Sequence, residues 1–342
     1  MAIYFALLFV LIIFGMKFSP FHSDYLEQEQ TTAVKGIFAI VIFLSHTKNY
    51  VALSNGIGDR LFDIIIYAIG QTMVAVFFFY SGYGVAESYR QKPLYDKQFF
   101  KNRILKTLVH FDLAVVLYMI LNLIIGRRIP VKRFLLSLVG WVSIGNSSWF
   151  ICVLLILYLL TLLAFILNRK AKNVRHVTYT VTALCLLTWG VMFAFGRPEC
   201  WYNTLLCYSA GMFFSAFRNK IDEHMSKTGF YYGVTALLAG IIMFCWMNKG
   251  GPLIYSLFTL TVSILIVVFT MKVKIKNKYL TIFGQYSFSM FILQRLPMTI
   301  LLKLKINSPI IFTALAFIAT CVLALVFERL LCIVDRHLLK VH

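Results

Sequence analysis

The chain has 342 residues, of which 60% are hydrophobic and only 13% are charged, whereas about a quarter of the residues in an ordinary soluble domain are charged. A water-soluble protein needs a more polar exterior, so this composition excludes an ordinary soluble enzyme and indicates a protein solvated by lipid. The net charge of +20 would suggest nucleic acid as the partner of a soluble protein. Here the basic residues fall in short runs between apolar segments, as residues that set membrane topology do, and no nucleic-acid partner is expected.

The apolar runs are about twenty residues long, which predicts spanning helices rather than the shorter alternating strands of a membrane barrel. In chain order they lie near residues 2–18, 33–53, 62–86, 104–126, 148–167, 177–195, 201–217, 230–247, 253–271, 279–302 and 309–334. The predicted fold class is therefore all-α: a polytopic integral membrane protein with about ten or eleven transmembrane helices in one transmembrane domain, residues 1–342. Segment 2–18 is interpreted as a first spanning helix, with a signal anchor as the alternative. The stretch 131–145 is too short to span and predicts an interfacial or re-entrant helix.

The loops indicate the orientation. Five basic regions, at 90–103, 168–176, 218–227, 272–278 and the C-terminal tail with Arg336 and Lys340, alternate with less basic loops. With eleven spans these five regions share one side, which the positive-inside rule makes cytoplasmic. One loop conflicts with this topology because its basic residues fall on the outer side: Arg127, Arg128, Lys132 and Arg133. Either a segment is miscounted there or these charges have another role.

Lys35 and His46 are the most informative polar residues, because a polar side chain inside a lipid-embedded helix is costly. They are eleven residues apart, which corresponds to about 16 Å along a helix and places both side chains on roughly the same face. A histidine flanked by Ser45 and Thr47 can carry a proton or accept an acyl group near neutral pH. The alternative is a packing histidine that bonds to a neighbouring helix.

This stretch resembles the start of the acyltransferase-3 family of integral membrane O-acyltransferases, which modify bacterial polysaccharides and lipids. The family's hallmark is a basic residue, usually Arg, followed by ten residues and then His. Lys35 and His46 keep that spacing with Lys in place of Arg. A lysine is a point charge and lacks the bidentate grip of arginine on a phosphate.

Further matches to the family follow in the expected order, over roughly residues 30–330, with helix 2–18 preceding the usual start. They are the Phe-Phe-x-x-Ser-Gly element ending at Ser81 and Gly82, the basic segment Phe99 to Ile104, the Trp-Phe element at Asn146 to Ile151, the stretch Trp201 to Asn203 followed by Gly211, and the segment Phe283 to Ile292. After the last element the family commonly has His, whereas this chain has Gln294 followed by Arg295.

The resemblance implies an O-acetyltransferase that takes an acetyl group from cytoplasmic acetyl-CoA, without a metal, and gives it to a hydroxyl of a glycan or lipid-linked sugar. It implies His46 as the catalytic residue, either as acyl carrier or as general base. The donor is expected to contact Lys35, Arg103, Lys101 and Arg90. The acceptor is expected to contact Ser81, Trp149, Asn146, Trp201 and Asn203. The expected location is the bacterial inner (cytoplasmic) membrane, and neither the acceptor nor the oligomeric state can be determined from the sequence.

Weaker candidates for the site are other ionisable residues. Glu87 and Asp63 flank the third apolar segment, where they are candidates to orient His46 or to bind the acceptor. His110 and Asp112 lie two residues apart and so do not share a helix face; each is expected to pair with another helix. Four charged residues near the C-terminus are expected to pair and to anchor the last helix: Glu328, Arg329, Asp335 and Arg336.

The alternative function is a transporter or flippase that moves an amphipathic, glycolipid-like substrate without covalent chemistry. Such a protein should have inverted repeats and helices broken at matching midplane positions by Gly or Pro. Neither pattern is visible in this sequence, which favours the enzyme. A third possibility is a catalytically inactive relative that assists a glycan assembly complex. The intact Lys35 and His46 pair argues against it.

Overall fold

The computed structural model describes residues 1–53, 56–248 and 250–339. The helices are α1 (Ala2–Gly15), α2 (Gln28–Thr47), α3 (Ile57–Ile69), α4 (Thr72–Gln91), α5 (Tyr95–Phe99), α6 (Lys106–Ile124), α7 (Val131–Leu138), α8 (Trp149–Leu167), α9 (Val174–Ala194), α10 (Leu205–Ala216), α11 (Arg218–Met225), α12 (Thr228–Met247), α13 (Pro252–Thr270), α14 (Lys278–Gln285), α15 (Ser287–Leu293), α16 (Arg295–Lys303) and α17 (Pro309–Val334). Two short strands, β1 (Met16–Phe18) and β2 (Val273–Ile275), pair antiparallel with Lys17 opposite Lys274. Phe100–Leu105 and Asp335–Leu339 are π-helical.

The all-α membrane fold is confirmed. Within the described residues, six helices are long and apolar enough to cross a membrane, or seven if the bent pair α3 and α4 counts as one span. The prediction of ten or eleven is larger because several predicted segments form shorter or more polar helices. Segment 201–217 contains the 12-residue helix α10, and segment 279–302 folds as three short helices, α14 to α16. Stretch 131–145 begins with the 8-residue helix α7.

The predicted segment 62–86 is broken between α3 and α4, which meet at an angle of 40°. Gly70 lies at the break with φ of 47°, a left-handed conformation that favours glycine. The Tyr255 hydroxyl accepts a hydrogen bond from the backbone N–H of Gln71 at 3.1 Å. Segment 62–86, predicted as one apolar span, thus contains a bend at Gly70-Gln71 whose freed backbone amide is satisfied by another helix.

The five basic regions lie at one end of the helix bundle, here called the basic end. Contacts made by residues in or next to these regions establish this. They are Lys274 to Asp24 at 2.8 Å, Arg218 to Tyr83 at 2.8 Å, Lys106 to Asp335 at 2.6 Å, Arg175 over the Phe217 ring, and Tyr89 stacked on Phe165. The two short strands join the end of α1 to the start of α14 at the same place. The predicted alternation of basic and less basic loops thus matches the folded chain, except for Lys340, which lies outside the described residues.

The loop that conflicts with the positive-inside rule lies at the opposite end. There α6 ends at Ile124 and α7 begins at Val131. Arg133 on α7 donates to the Ser143 carbonyl at 2.9 Å, and Asn122 donates to the Ile144 carbonyl at 2.8 Å. The segment count is therefore not the source of the conflict, and Arg133 ties this outer loop together.

Glycines set the positions of α2 and α4. A Cβ atom at Gly36 would lie 1.9 Å from the Leu280 carbonyl oxygen, so α2 touches α14 backbone to backbone. A Cβ at Gly82 would lie 1.9 Å from the Tyr208 carbonyl oxygen, so α4 touches α10 in the same way. Small residues permit such close approach in membrane helix pairs.

Candidate active site

A cavity of about 380 Å³ follows one face of α2. Lys35, Ala39 and Ile42 line it, and their spacing of four and three residues is that of one helical face. His46 is four residues beyond Ile42, which continues the same face by one turn. The predicted common face of Lys35 and His46 therefore borders a single cavity.

Three other helices close this cavity. Tyr80, Ser81 and Gly84 line it from α4; Phe150, Leu154 and Tyr158 from α8; and Ser287, Phe288 and Phe291 from α15. Phe150 and Tyr158 on α8 are eight positions apart, about 12 Å along the helix. The cavity is thus elongated along the bundle, with tyrosine and serine hydroxyls near the basic end and phenylalanines towards His46.

Two cations share the end of the cavity that faces the basic end of the bundle. Lys35 and Arg103 both line it and lie close enough to act on each other electrostatically. Arg103 lies on the π-helical turn Phe100–Leu105, and its Nε donates to the Tyr95 hydroxyl at 3.2 Å. Neither cation forms an ion pair with a carboxylate in the part of the chain that the structure describes. Two neighbouring cations with no counter-charge are costly in a low-dielectric site and favour an anionic ligand.

Hydroxyl groups next to these cations complete this end of the cavity. Ser81 and Tyr158 share a hydrogen bond at 3.0 Å, and the Tyr158 hydroxyl lies in electrostatic range of Arg103. The Tyr80 hydroxyl is buried and has no hydrogen-bond partner among the described residues. Hydroxyls can donate to phosphate or carbonyl oxygens, so the wall offers further donors to a polar ligand.

His46 lies one helical turn beyond the other end of the cavity. Its ring lies 6.2 Å, centroid to centroid, from Phe291, which lines the cavity. The ring is partly accessible, and its Nδ1 is buried without a partner among the described residues. A buried packing histidine is normally hydrogen-bonded, so the partnerless Nδ1 does not match the bond to a neighbouring helix that the packing alternative expects, and the catalytic role of His46 stays a prediction.

The sequence model of the acyltransferase-3 family, described as an acyltransferase domain, matches residues 30–329. The chain belongs to the acyltransferase-3 family. It is a membrane acyltransferase. Neither the curated proteins nor the solved structures contain a match to it.

The folded chain places some of the predicted site residues at one cavity. Lys35, Arg103 and Ser81 line the cavity, and His46 lies one helical turn beyond it. Arg90 and Lys101 lie at the basic end but outside the cavity lining; Arg90 donates to Glu87 at 2.6 Å, and Lys101 is exposed.

The predicted acceptor residues divide into two groups. Trp149 packs edge-on against Phe150 at 6.2 Å, just beyond the cavity. The Asn146 side-chain oxygen accepts from the Ile144 backbone at 3.1 Å, while its Nδ2 is buried without a described partner. These two lie near the site, and acceptor binding stays a prediction for them.

Trp201 and Asn203 are not brought to this cavity. Trp201 packs edge-on against Trp141 at 5.2 Å. The Asn203 side-chain oxygen accepts from Ser256 at 3.1 Å, and its backbone carbonyl accepts from Thr259 at 2.7 Å. These contacts join the loop before α10 to α13, while the Asn203 Nδ2 is buried without a described partner, and acceptor binding stays a prediction for both residues.

The acidic candidates have other partners. Asp63 pairs with Lys48 at 2.8 Å, and Glu87 accepts from Arg90 and from Ser215, so neither orients His46. Of the four C-terminal charges predicted to pair, Asp335 forms ion pairs and Glu328 accepts a hydrogen bond. Asp335 pairs with Lys106 and with His110, at 2.6 and 2.7 Å, and Glu328 accepts from Ser289 at 2.5 Å. The pairing of His110 with another helix is confirmed, while the Asp112 Oδ1 is buried without a described partner.

Sequence reasoning missed the role of Arg295. It follows Phe291 by four residues on the same helical face, and its guanidinium lies in electrostatic range of His46. A charged residue inside the apolar segment 279–302 is the signal that would have identified it. The sequence also shows no sign that Tyr80 and Tyr158 line the cavity, because their orientation depends on packing between helices.

Proposed function

We propose that this acyltransferase is an O-acetyltransferase of a bacterial cytoplasmic membrane. It takes the acetyl group from cytoplasmic acetyl-CoA and transfers it to a hydroxyl of a cell-surface glycan or of its lipid-linked precursor. The proposal is carried by one observation, the single cavity that joins two unpaired cations, Lys35 and Arg103, to the helix face that bears His46.

The two cations are suited to the phosphates of coenzyme A. A guanidinium and an ammonium bind phosphate by charge-assisted hydrogen bonds. They lie at the basic end of the bundle, which the positive-inside rule assigns to the cytoplasm, where acetyl-CoA is found. The elongated, partly apolar cavity then accommodates the pantetheine arm, so that the thioester reaches the His46 end.

His46 supplies the chemistry in this proposal. A neutral imidazole removes the proton from the acceptor hydroxyl as its oxygen attacks the thioester carbonyl carbon. The C–S bond then breaks, and coenzyme A leaves as a thiol after taking the proton from His46. In the covalent alternative the imidazole nitrogen attacks first, and the acetyl group passes to the hydroxyl in a second step. Both routes need an imidazole with a free nitrogen, which supports His46 as the reacting residue.

The test is acetyl transfer in membranes that contain matched amounts of folded protein. Radiolabelled acetyl-CoA is given to wild type, to His46→Ala and to His176→Ala, and label is followed into the lipid and glycan fractions of the host. His176 is an exposed histidine on α9 and serves as the matched control. We expect label with wild type and His176→Ala and none with His46→Ala.

Other outcomes separate the parts of the proposal. Label that survives His46→Ala removes His46 from the mechanism but keeps the activity. Absence of label in all three samples, with folded protein and native glycan present, contradicts acetyl transfer and favours movement of an amphipathic substrate without chemistry.

A further inference from the structure

Arg295 presents a third positive charge, partly buried, beyond the end of the cavity opposite Lys35 and Arg103. It is the first residue of α16 and follows Phe291 by one helical turn. Its Nε is buried without a hydrogen-bond partner, and it forms no ion pair with any carboxylate of the described residues. A guanidinium inside an apolar bundle normally pairs with an acid or with backbone carbonyls. Its unsatisfied Nε therefore indicates a ligand that carries or develops negative charge.

The Tyr118 hydroxyl adds a second donor at the same place. Tyr118 is 2% exposed, and its hydroxyl donates to no acceptor among the described residues. It lies beside the backbone amides of Arg295 and Leu296 and in electrostatic range of the Arg295 guanidinium. Leaving a buried hydroxyl unbonded costs about 1–3 kcal/mol. Tyr118 and Arg295 thus present two adjacent unsatisfied donors from different helices. This arrangement is expected of a site that binds a ligand oxygen atom.

His46 lies next to this pair of donors. The Arg295 charge acts on the imidazole, and the His46 ring also contacts Phe291, one turn before Arg295. During acyl transfer the carbonyl oxygen of the thioester becomes negative, whether the attacking atom is the acceptor oxygen or a nitrogen of His46. That oxygen is one bond away from the carbon that the nucleophile attacks, so a donor close to His46 is close to the developing charge.

We infer that Arg295 and the Tyr118 hydroxyl form the oxyanion site of the transfer reaction, an inference that rests on the proposed function. The carbonyl π electrons move onto the oxygen as the new bond forms, and these two donors hold the resulting oxyanion until the C–S bond breaks. Donors positioned in advance for developing charge lower the barrier without any reorganisation at the moment of reaction. Lys35 and Arg103, at the opposite end of the cavity, bind the phosphate end of the acyl donor and take no part in this step.

The test measures turnover and donor binding separately, using purified protein in proteoliposomes. Turnover is read as thiol release from acetyl-CoA with water as acceptor and as label transfer to the host lipid and glycan fractions. Donor affinity is read by binding of radiolabelled acetyl-CoA. The variants are Arg295→Gln, Arg295→Lys and Tyr118→Phe, with Lys303→Gln, an exposed position on the same helix, as control. These substitutions are conservative so that the variants still fold, and thermal unfolding of each variant verifies that they do.

An oxyanion role predicts that Arg295→Gln lowers turnover about 10²–10³-fold at every pH, with donor affinity changed less than about threefold. Arg295→Lys should recover part of the loss, and Tyr118→Phe should lower turnover about tenfold. A loss that a higher pH restores would overturn the inference, because Arg295 would then act only by keeping His46 neutral. A rise in the acceptor concentration needed for half-maximal transfer, with normal thiol release, would overturn it in favour of an acceptor anion site. Wild type that neither binds nor cleaves acetyl-CoA would instead contradict the proposed function.

Discussion

Lys35 on α2 and Arg103 on the π-helical turn before α6 line the same end of one cavity, and each lies in the electrostatic field of the other. The residues that the structure describes place no carboxylate in an ion pair with either side chain. Like charges repel, and burial removes the water that would screen them, so the pair is stabilised when an anion enters between the two. The pair therefore favours an anionic ligand, as the proposed binding of a coenzyme A phosphate requires.

Lys35→Met should weaken donor binding. A charge-assisted hydrogen bond to a phosphate contributes about 1.5–3 kcal/mol, so the dissociation constant for acetyl-CoA should rise by roughly ten- to a hundredfold. Lys35→Arg should retain affinity, because the guanidinium keeps the charge and adds bidentate contact. Binding of radiolabelled acetyl-CoA to protein in proteoliposomes measures this. Lys278→Met, an exposed position near the same end, is the control and should bind as wild type does.

Tyr95→Phe tests how Arg103 is held. The Tyr95 hydroxyl accepts from Arg103 Nε at 3.2 Å, and removing it leaves the guanidinium freer to turn away from the cavity. The loss of one such hydrogen bond costs about 0.5–1.5 kcal/mol, so donor affinity should fall about two- to tenfold. The rate at saturating donor should stay the same, since the bond does not touch the reacting atoms. Tyr279→Phe, at an exposed tyrosine, is the matched control. A fall in the saturating rate without a change in affinity would contradict this assignment.

Gly82→Ala should destabilise the fold. A Cβ at this position would lie 1.9 Å from the Tyr208 carbonyl oxygen, so α4 and α10 would have to move apart. Overpacking of this kind costs about 1–3 kcal/mol or more. Thermal unfolding in detergent should show a lower midpoint for Gly82→Ala than for Gly84→Ala, because a Cβ at Gly84 meets no atom within 4 Å. Equal midpoints for the two variants would show that α10 does not press on α4 at Gly82.

The sequence could predict the parts of the site that follow from local periodicity. Lys35 and His46 share a face because eleven residues make three turns of any α-helix, and the motif glycine Gly82 marks close helix contact because only a small residue permits it. The bend at Gly70 was not predicted, although Gly70, Gln71 and Thr72 interrupt the apolar run there. It depends on Tyr255 of α13, which is distant in sequence.

The predicted acceptor residues show a second feature that the sequence could not determine, namely whether a side chain faces the cavity. Trp201 and Asn203 were predicted from a motif and from their position at the outer rim, where aromatic and amide groups suit both a sugar and a membrane interface. Whether such a residue faces a cavity or a neighbouring helix is decided by tertiary packing. Ser256 and Thr259 of α13 donate to the side-chain oxygen and the backbone carbonyl of Asn203, and no local pattern reveals that pairing. Arg295 was visible in the sequence, but its proximity to His46 required the folded chain.

The contact between Asp24 and Lys274 should make stability depend on pH. The Lys274 ammonium donates to the Asp24 carboxylate at 2.8 Å, and this hydrogen bond, against some desolvation, holds the pKa of the Asp24 carboxyl at about 2, below its usual 3.8. The folded state thus favours the charged form. The resulting stabilisation is complete above the unfolded pKa and is lost as pH falls from about 4 towards 2.

Asp24→Asn should therefore lower the unfolding midpoint in detergent at neutral pH, and the difference from wild type should shrink as the pH approaches the pKa of about 2. The Asp24 side chain is 41% exposed, so solvent screening keeps the effect below about 1 kcal/mol. Glu29→Gln, at an exposed acid on α2, is the control and should show a pH-independent midpoint relative to wild type. A difference for Asp24→Asn that stays constant down to about pH 2 would mean that the side chain acts through packing at the α1–α2 connection and not through its charge.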